Sequence, residues 1–211
     1  MPMDINPQQV LRIAYPAPDP AKPYVYPDTQ ILINHFGIRN TAVLQRVVNT
    51  VAGLRGDQLK SDPLPGDYDL QHLCAIHHAL FQDIFAWAGQ IRTVDIEKQG
   101  QDFVVSADIS RKYQLMHEEL KAEYFLRGLD LEGFAGRLAH YWYSIYSVHV
   151  FRDGNSRAMR HFFARLAAAA GYRLDFAAVD RTALLAACRG RYFKNDLEPL
   201  RDCLRRITFV V

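Results

Sequence analysis

Residues 149–160 read HVFRDGNSRAMR and join two stretches of helical apolar spacing. Upstream, Leu131, Phe134, Leu138, Ile145 and Val148 recur every three or four residues. Downstream, a second pattern runs from about Ser156 through an alanine run to Gly171. The twelve residues are therefore a loop feeding a helix N-terminus, where free N–H groups and the positive dipole end suit phosphate. Gly154 allows positive φ and close backbone approach, and Arg157 and Arg160, three apart, can face one way. Asp153 offers a hard oxygen ligand for Mg²⁺, and His149 titrates near neutrality as a general base. By residue types alone a plainer reading also fits: a helix-to-helix turn capped by Asp153 or Asn155, with solvated arginines.

Outward from this loop the chain reads as mainly α. Asp28 and Gly37 punctuate like the ends of a short helix, Asn40 or Thr41 caps the next, and Leu44, Val47, Val48, Val51 and Leu54 line one face. Leu70, Leu73, Ile76, Leu80, Ile84 and Trp87 predict a helix up to Gly89. Ile109 to Leu120 predict another, and shorter ones fall at Asp180–Cys188 and Asp196–Ile207. The segment IRTVDIEKQGQDFVV, with β-branched residues around Gln99-Gly100, is the one good hairpin. Seven of the ten prolines lie within residues 1–27, which makes that stretch an irregular arm ahead of a single domain over 28–211.

Composition narrows the function classes. A net charge of +2 is too small for bulk attraction to nucleic acid or an anionic membrane, so no direct nucleic-acid or membrane partner is expected. Neither a membrane span nor an export signal is legible, and three widely spaced cysteines suit a reducing cytoplasm. His72, Cys74, His77 and His78 lack the spacing of a structural metal site and read as one core thiol and a solvated histidine face. Trp142, Tyr143 and Tyr146 read as core packing, and Arg189, Arg191 and Lys194 as a small solvated basic cluster.

The motif resembles the signature of the Fic (filamentation induced by cAMP) family, HxFx(D/E)GN(G)RxxR, at His149, Phe151, Asp153, Gly154, Asn155, Arg157 and Arg160. The likeness extends through PYVYPDTQILINHFGIRN, LFQDIFAWAGQIRTVDI and the hairpin. It implies a Fic-like helical bundle with a small β-hairpin flap over the active site. It also implies transfer of AMP from ATP, with Mg²⁺, to a Ser, Thr or Tyr hydroxyl of a target protein. His149 would be the base and Asp153 the metal ligand. Gly154, Asn155, Ser156, Arg157 and Arg160 would hold the phosphates, and Asn195 would contact the nucleoside. A target strand would add to the flap at Asp102, Phe103, Val104 and Val105.

Two positions depart from the usual pattern: Val150 replaces proline and Ser156 replaces glycine, or the lysine of a phosphorylating branch. They keep open a donor other than ATP's AMP (phosphate, another nucleotide or phosphocholine) and a weakly catalytic module that binds nucleotide or an antitoxin. The family's inhibitory Ser/Thr-x-x-x-Glu-Gly/Asn helix has no match. Only Glu132 precedes a glycine, and Gly128 stands four before it. The expectation is a toxin restrained by a separate small antitoxin that supplies the missing helix, or a secreted effector.

Overall fold

The computed structural model describes residues 23–211, so most of the proline-rich arm lies outside the described residues. Seven α-helices follow in order: α1 Thr41–Ser61, α2 Leu70–Phe81, α3 Ile109–Ala122, α4 Leu131–Val148, α5 Asn155–Ala169, α6 Arg181–Lys194 and α7 Glu198–Arg206. Between α2 and α3 sits an antiparallel pair, β1 Glu97–Lys98 and β2 Gln101–Asp102, joined by Gln99 and Gly100, both at positive φ (56° and 77°). Two left-handed residues match the strands' twist, so a two-residue loop closes the hairpin there.

α4 and α5 are the centre. Phe134, Ala135, Leu138, Ala139, Tyr141, Ala158, Phe162, Phe163 and Leu166 are fully buried, and α7 and α2 pack on either side of them. Trp142 stacks on Phe163 at 4.9 Å, so the α4 aromatics do pack the core, as their spacing predicts. Asn40, Asp69, Asp130 and Asp180 each turn a side-chain oxygen onto the first turn of α1, α2, α4 and α6. α5 begins at Gly154 with no such cap and no acid in its first turn.

Three local expectations change. Residues 28–37 form turns and an isolated bridge, Val25 to Leu32, instead of a short helix. There Asn34 takes over the bonding, donating to the carbonyls of Leu32 and Ile38 and accepting from the Ile38 amide. α2 stops at Phe81, because the apolar residues Ile84, Phe85 and Trp87 fold back in turns whose Gly89 amide donates to His77. The hairpin is also not the one strand pair. β3 Tyr172–Leu174 pairs antiparallel with β4 Thr208–Val210, joining the end of α5 to the residues after α7.

Candidate active site

A cavity of about 1090 Å³ opens at the junction of α1, the hairpin, α5 and α6. Its lining includes Lys98, Gln101, Phe103, His149, Asp153, Gly154, Asn155, Ser156, Arg157, Arg181 and Arg189. Structure thus brings together the base, the acid and the α5 N-terminus expected from residues 149–160. The amides of Asn155 and Ser156 find no acceptor among the described residues, so an uncapped helix start faces the cavity. Arg157 points here too, with Nη2 donating to Asn49 Oδ1 of α1 at 2.7 Å.

His149 ends α4 in the left-handed region (φ 49°), a turn that swings its ring off the helix and onto Phe103, 4.1 Å between centroids. It is 7% exposed. Nε2 receives a hydrogen bond from Lys98 Nζ at 3.0 Å, whereas Nδ1 makes no bond of good geometry and has only the Tyr146 carbonyl nearby. Burial first, then the charges of Lys98 and Arg92, push its pKa down to about 2, so the ring is neutral.

The loop between His149 and α5 is braced from beneath. Asn155, expected to touch phosphate, bonds Phe151 twice: its Oδ1 accepts from the Phe151 amide at 3.0 Å and its Nδ2 donates to the Phe151 carbonyl at 2.7 Å. Val150 is fully buried, with its carbonyl accepting from the Arg92 amide. His77, from α2, stacks on Phe151 at 3.8 Å. Its Nδ1 accepts from the Gly89 amide at 2.8 Å, so its Nε2 carries the proton and donates to the Asp153 carbonyl at 2.9 Å. The expected solvated histidine face holds for His78, which is exposed, but not for His77 (0% exposed) or His72 (3%), because α2 packs that side against α5.

Arg92, 1% exposed, is the second brace. It donates to the carbonyls of His149 (2.8 Å), Val94 (2.6 Å), Val148 (3.3 Å) and Val104, fastening the base of the hairpin to the end of α4. Neither His77 nor Arg92 is marked by any local sequence pattern. A charged residue in an otherwise apolar turn was the one available signal, and it pointed only to Arg92.

Other expected residues sit elsewhere. Arg160 turns over the Phe176 ring at 5.5 Å and lines a small side recess with Ser156 and Arg181 instead of the main cavity. Asn195 is the exposed left-handed cap of α6, held by Arg191, and is outside the lining. Of the stretch Asp102–Val105, the amide of Asp102 donates to Tyr192 Oη, that of Phe103 to the Ile96 carbonyl and that of Val104 to the Ser147 carbonyl. Register leaves the outward-facing backbone groups to Glu97 on β1, since Lys98 pairs with Gln101. Arg189, expected in solvent, donates to the Gln99 carbonyl at 3.0 Å and lines the cavity.

Asp153 is the cavity's one acidic lining residue among those described. No cluster of three ligating side chains exists among the described residues. That donor set fits Mg²⁺ arriving on a nucleotide, an ion that takes one carboxylate and fills its remaining positions with phosphate oxygens and water.

A neutral buried imidazole, an uncapped helix start and four cationic side chains (Lys98, Arg157, Arg181 and Arg189) thus share one cavity of a mainly helical domain. Residues 67–167 match the Fic/DOC family. A protein of Salmonella typhimurium named probable protein adenylyltransferase Fic is 40% identical over 154 residues, covering 73% of this chain and 76% of its own. Protein adenylyltransferase VbhT of Bartonella schoenbuchensis is 36% identical over 173 residues, covering 82% of this chain and 36% of its own. The chain thus spans about a third of the latter's length. The Fic domain of a Bartonella quintana effector solved with ADP superposes with a TM-score of 0.85 at 28% identity, covering 89% of this chain and 94% of its own. BepC of Bartonella tribocorum, solved with AMPPNP, gives 0.85 at 26%, covering 89% and 97%. This chain belongs to the Fic/DOC family, and its mainly helical fold with a hairpin over the motif is the one the sequence resemblance implies.

Proposed function

We propose that the chain is a protein adenylyltransferase, which transfers AMP from ATP to a side-chain hydroxyl of another protein and releases pyrophosphate. One observation carries this reading: His149, Asp153 and the uncapped α5 N-terminus face a single cavity large enough for a nucleotide. Relatives named for the same activity, and structural neighbours solved with ADP and AMPPNP, support it.

In this reading the amides of Asn155 and Ser156 and the Arg157 guanidinium hold phosphate oxygens, with Gly154 allowing the close approach. Arg160 adds fixed positive charge from behind this layer. Asp153 would hold a magnesium ion arriving with the nucleotide, and that ion would supply neutralisation of phosphate charge. His149 Nε2 accepts the proton of the target hydroxyl as that oxygen attacks the α-phosphorus. A target segment pairs with the outward edge of Glu97, which faces a groove of about 420 Å³ lined by Tyr24, Val25 and Ile96. Among the described residues no glutamate lines the main cavity, and Glu132 is tied to Arg205 at 2.6 Å. Inhibition is therefore assigned to a separate small antitoxin whose helix would bring a carboxylate to Arg160, the second arginine of the motif.

The test incubates the protein and lysate with Mg²⁺ and ATP labelled at the α- or γ-phosphate. Protein label from α alone, absent in His149→Ala, is the expected result. Label from γ alone would replace adenylylation with phosphorylation, the outcome that Ser156 at the phosphate end of the cavity makes worth checking.

A further inference from the structure

Lys98 lies on β1, at the boundary between two spaces. It lines both the nucleotide cavity and the outer groove beside Glu97. The residue is exposed, and its ammonium lies within 3.0 Å of His149 Nε2. An ammonium can only donate, so this contact requires an unprotonated Nε2 whose lone pair is aimed at Nζ. The proton of neutral His149 then resides on Nδ1, on the side of the Tyr146 carbonyl. That is the tautomer a general base needs, yet its one lone pair is occupied.

We propose that Lys98 selects the acceptor of the reaction: it holds the place of the attacking hydroxyl on His149 and yields to a docked protein hydroxyl but not to water. This inference rests on the adenylyl transfer proposed above. The nucleotide cavity is open, and water entering it meets a base already engaged by Lys98. A protein segment pairing with Glu97 arrives through the outer groove and meets Lys98 on its solvent-exposed side, the direction from which the lysine can be displaced. Removing the ammonium also relieves one of the charges that make His149 weakly basic, so base strength returns when the protein acceptor takes the position.

Without Lys98, the wasteful reaction has its parts in place. Water oxygen bonds to the α-phosphorus, the bond from that phosphorus to the bridging oxygen breaks, pyrophosphate leaves with the bond electrons, and the water proton goes to His149 Nε2. The products are AMP and pyrophosphate.

The experiment follows AMP release from α-labelled ATP and Mg²⁺ by the purified full chain, with no acceptor protein added. Lys98→Met is expected to raise AMP release at least tenfold, with protein labelling in lysate falling relative to hydrolysis. Lys98→Met combined with His149→Ala is expected to return release to background. Lys98→Gln, shorter and neutral, repeats the test should Lys98→Met melt early. Unchanged or slower AMP release by either variant at unchanged melting temperature, while the wild-type chain still labels lysate protein, overturns the role of Lys98 and leaves the adenylyl transfer standing. A fall of hydrolysis and transfer together overturns it likewise, because Lys98 would then be stabilising phosphate charge. A wild-type chain that labels no protein overturns the adenylyl transfer and takes the inference with it.

Discussion

Gly154 stands at φ 81°, and a Cβ placed there would lie 2.5 Å from Phe81 Cε2 and 2.9 Å from His77 Nε2. Left-handed strain alone costs about 1–2 kcal/mol for an L-residue, and overpacking a buried ring about 1–3 more. Gly154→Ala is thus expected to lower unfolding stability by about 2–5 kcal/mol and to displace the Asp153 carbonyl, read as a lower urea midpoint with weakened nucleotide binding. His77 makes a separate, pH-dependent contribution. Burial lowers its pKa to about 4, so between pH 6.5 and 4 the unfolded chain takes up a proton that the folded one refuses. Stability from this group is therefore complete above pH 6.5 and declines as pH falls toward 4. The amide of His77→Gln can still offer a donor to Asp153 and an acceptor to Gly89 without titrating. In urea unfolding at pH 7 and pH 4.5, the loss on acidification should shrink by about 2 kcal/mol in His77→Gln. An equal loss in both proteins would mean that His77 is protonated in the fold.

Elements show a second kind of constraint, since the hairpin is short and owes its position to others. Arg92 fastens its base, and α6 fastens its tip through Arg189 to Gln99 and Tyr192 to Asp102. Tyr192→Phe removes only the exposed acceptor, so its expected stability change is within about 0.5 kcal/mol. Amide exchange at Asp102 should nevertheless quicken by roughly tenfold, because that N–H loses its partner without the core being disturbed. Unchanged exchange would place the Asp102 amide on another acceptor. The same elements explain what was legible in sequence. α1, α4 and α5 carry caps or glycine punctuation and a 3.6-residue apolar period, and Gln99-Gly100 marks its turn locally. β3 and β4 lie far apart in the chain, with Leu174 opposite Thr208, and no turn announces them. The candidate site divides along the same line. His149 to Arg157 were readable because the loop and helix start are contiguous, whereas Lys98, Arg92 and His77 reach that loop from other elements and become functional only through packing.

At the scale of the whole molecule, net charge of +2 conceals a strong local imbalance. Lys98, Arg157, Arg181 and Arg189 line the cavity against Asp153 alone, with burial already lowering the pKa values of Lys98 and Arg157 by disfavouring their charged forms. An anion entering relieves that cost, so nucleotide binding is linked to folding: at a concentration a hundredfold above its Kd, a ligand of the native state adds about 2.7 kcal/mol. In a chain of this size that corresponds to a rise in melting temperature of roughly 5–10 °C. Magnesium decides how much of this rise is seen. In the proposed transfer the Asp153 carboxylate would meet a cation accompanying the phosphates, and after chelation by EDTA it would face them as a like charge. The shift produced by ATP should therefore be largest with Mg²⁺, shrink on adding EDTA, and lose its metal dependence in Asp153→Asn. Arg157→Ala should reduce the shift with or without metal, whereas His149→Ala, which removes the base and no phosphate ligand, should preserve it. A shift that EDTA leaves intact in the unaltered chain would remove Asp153 from the metal's ligands and return it to the plain cap-and-turn role that its sequence context also allows.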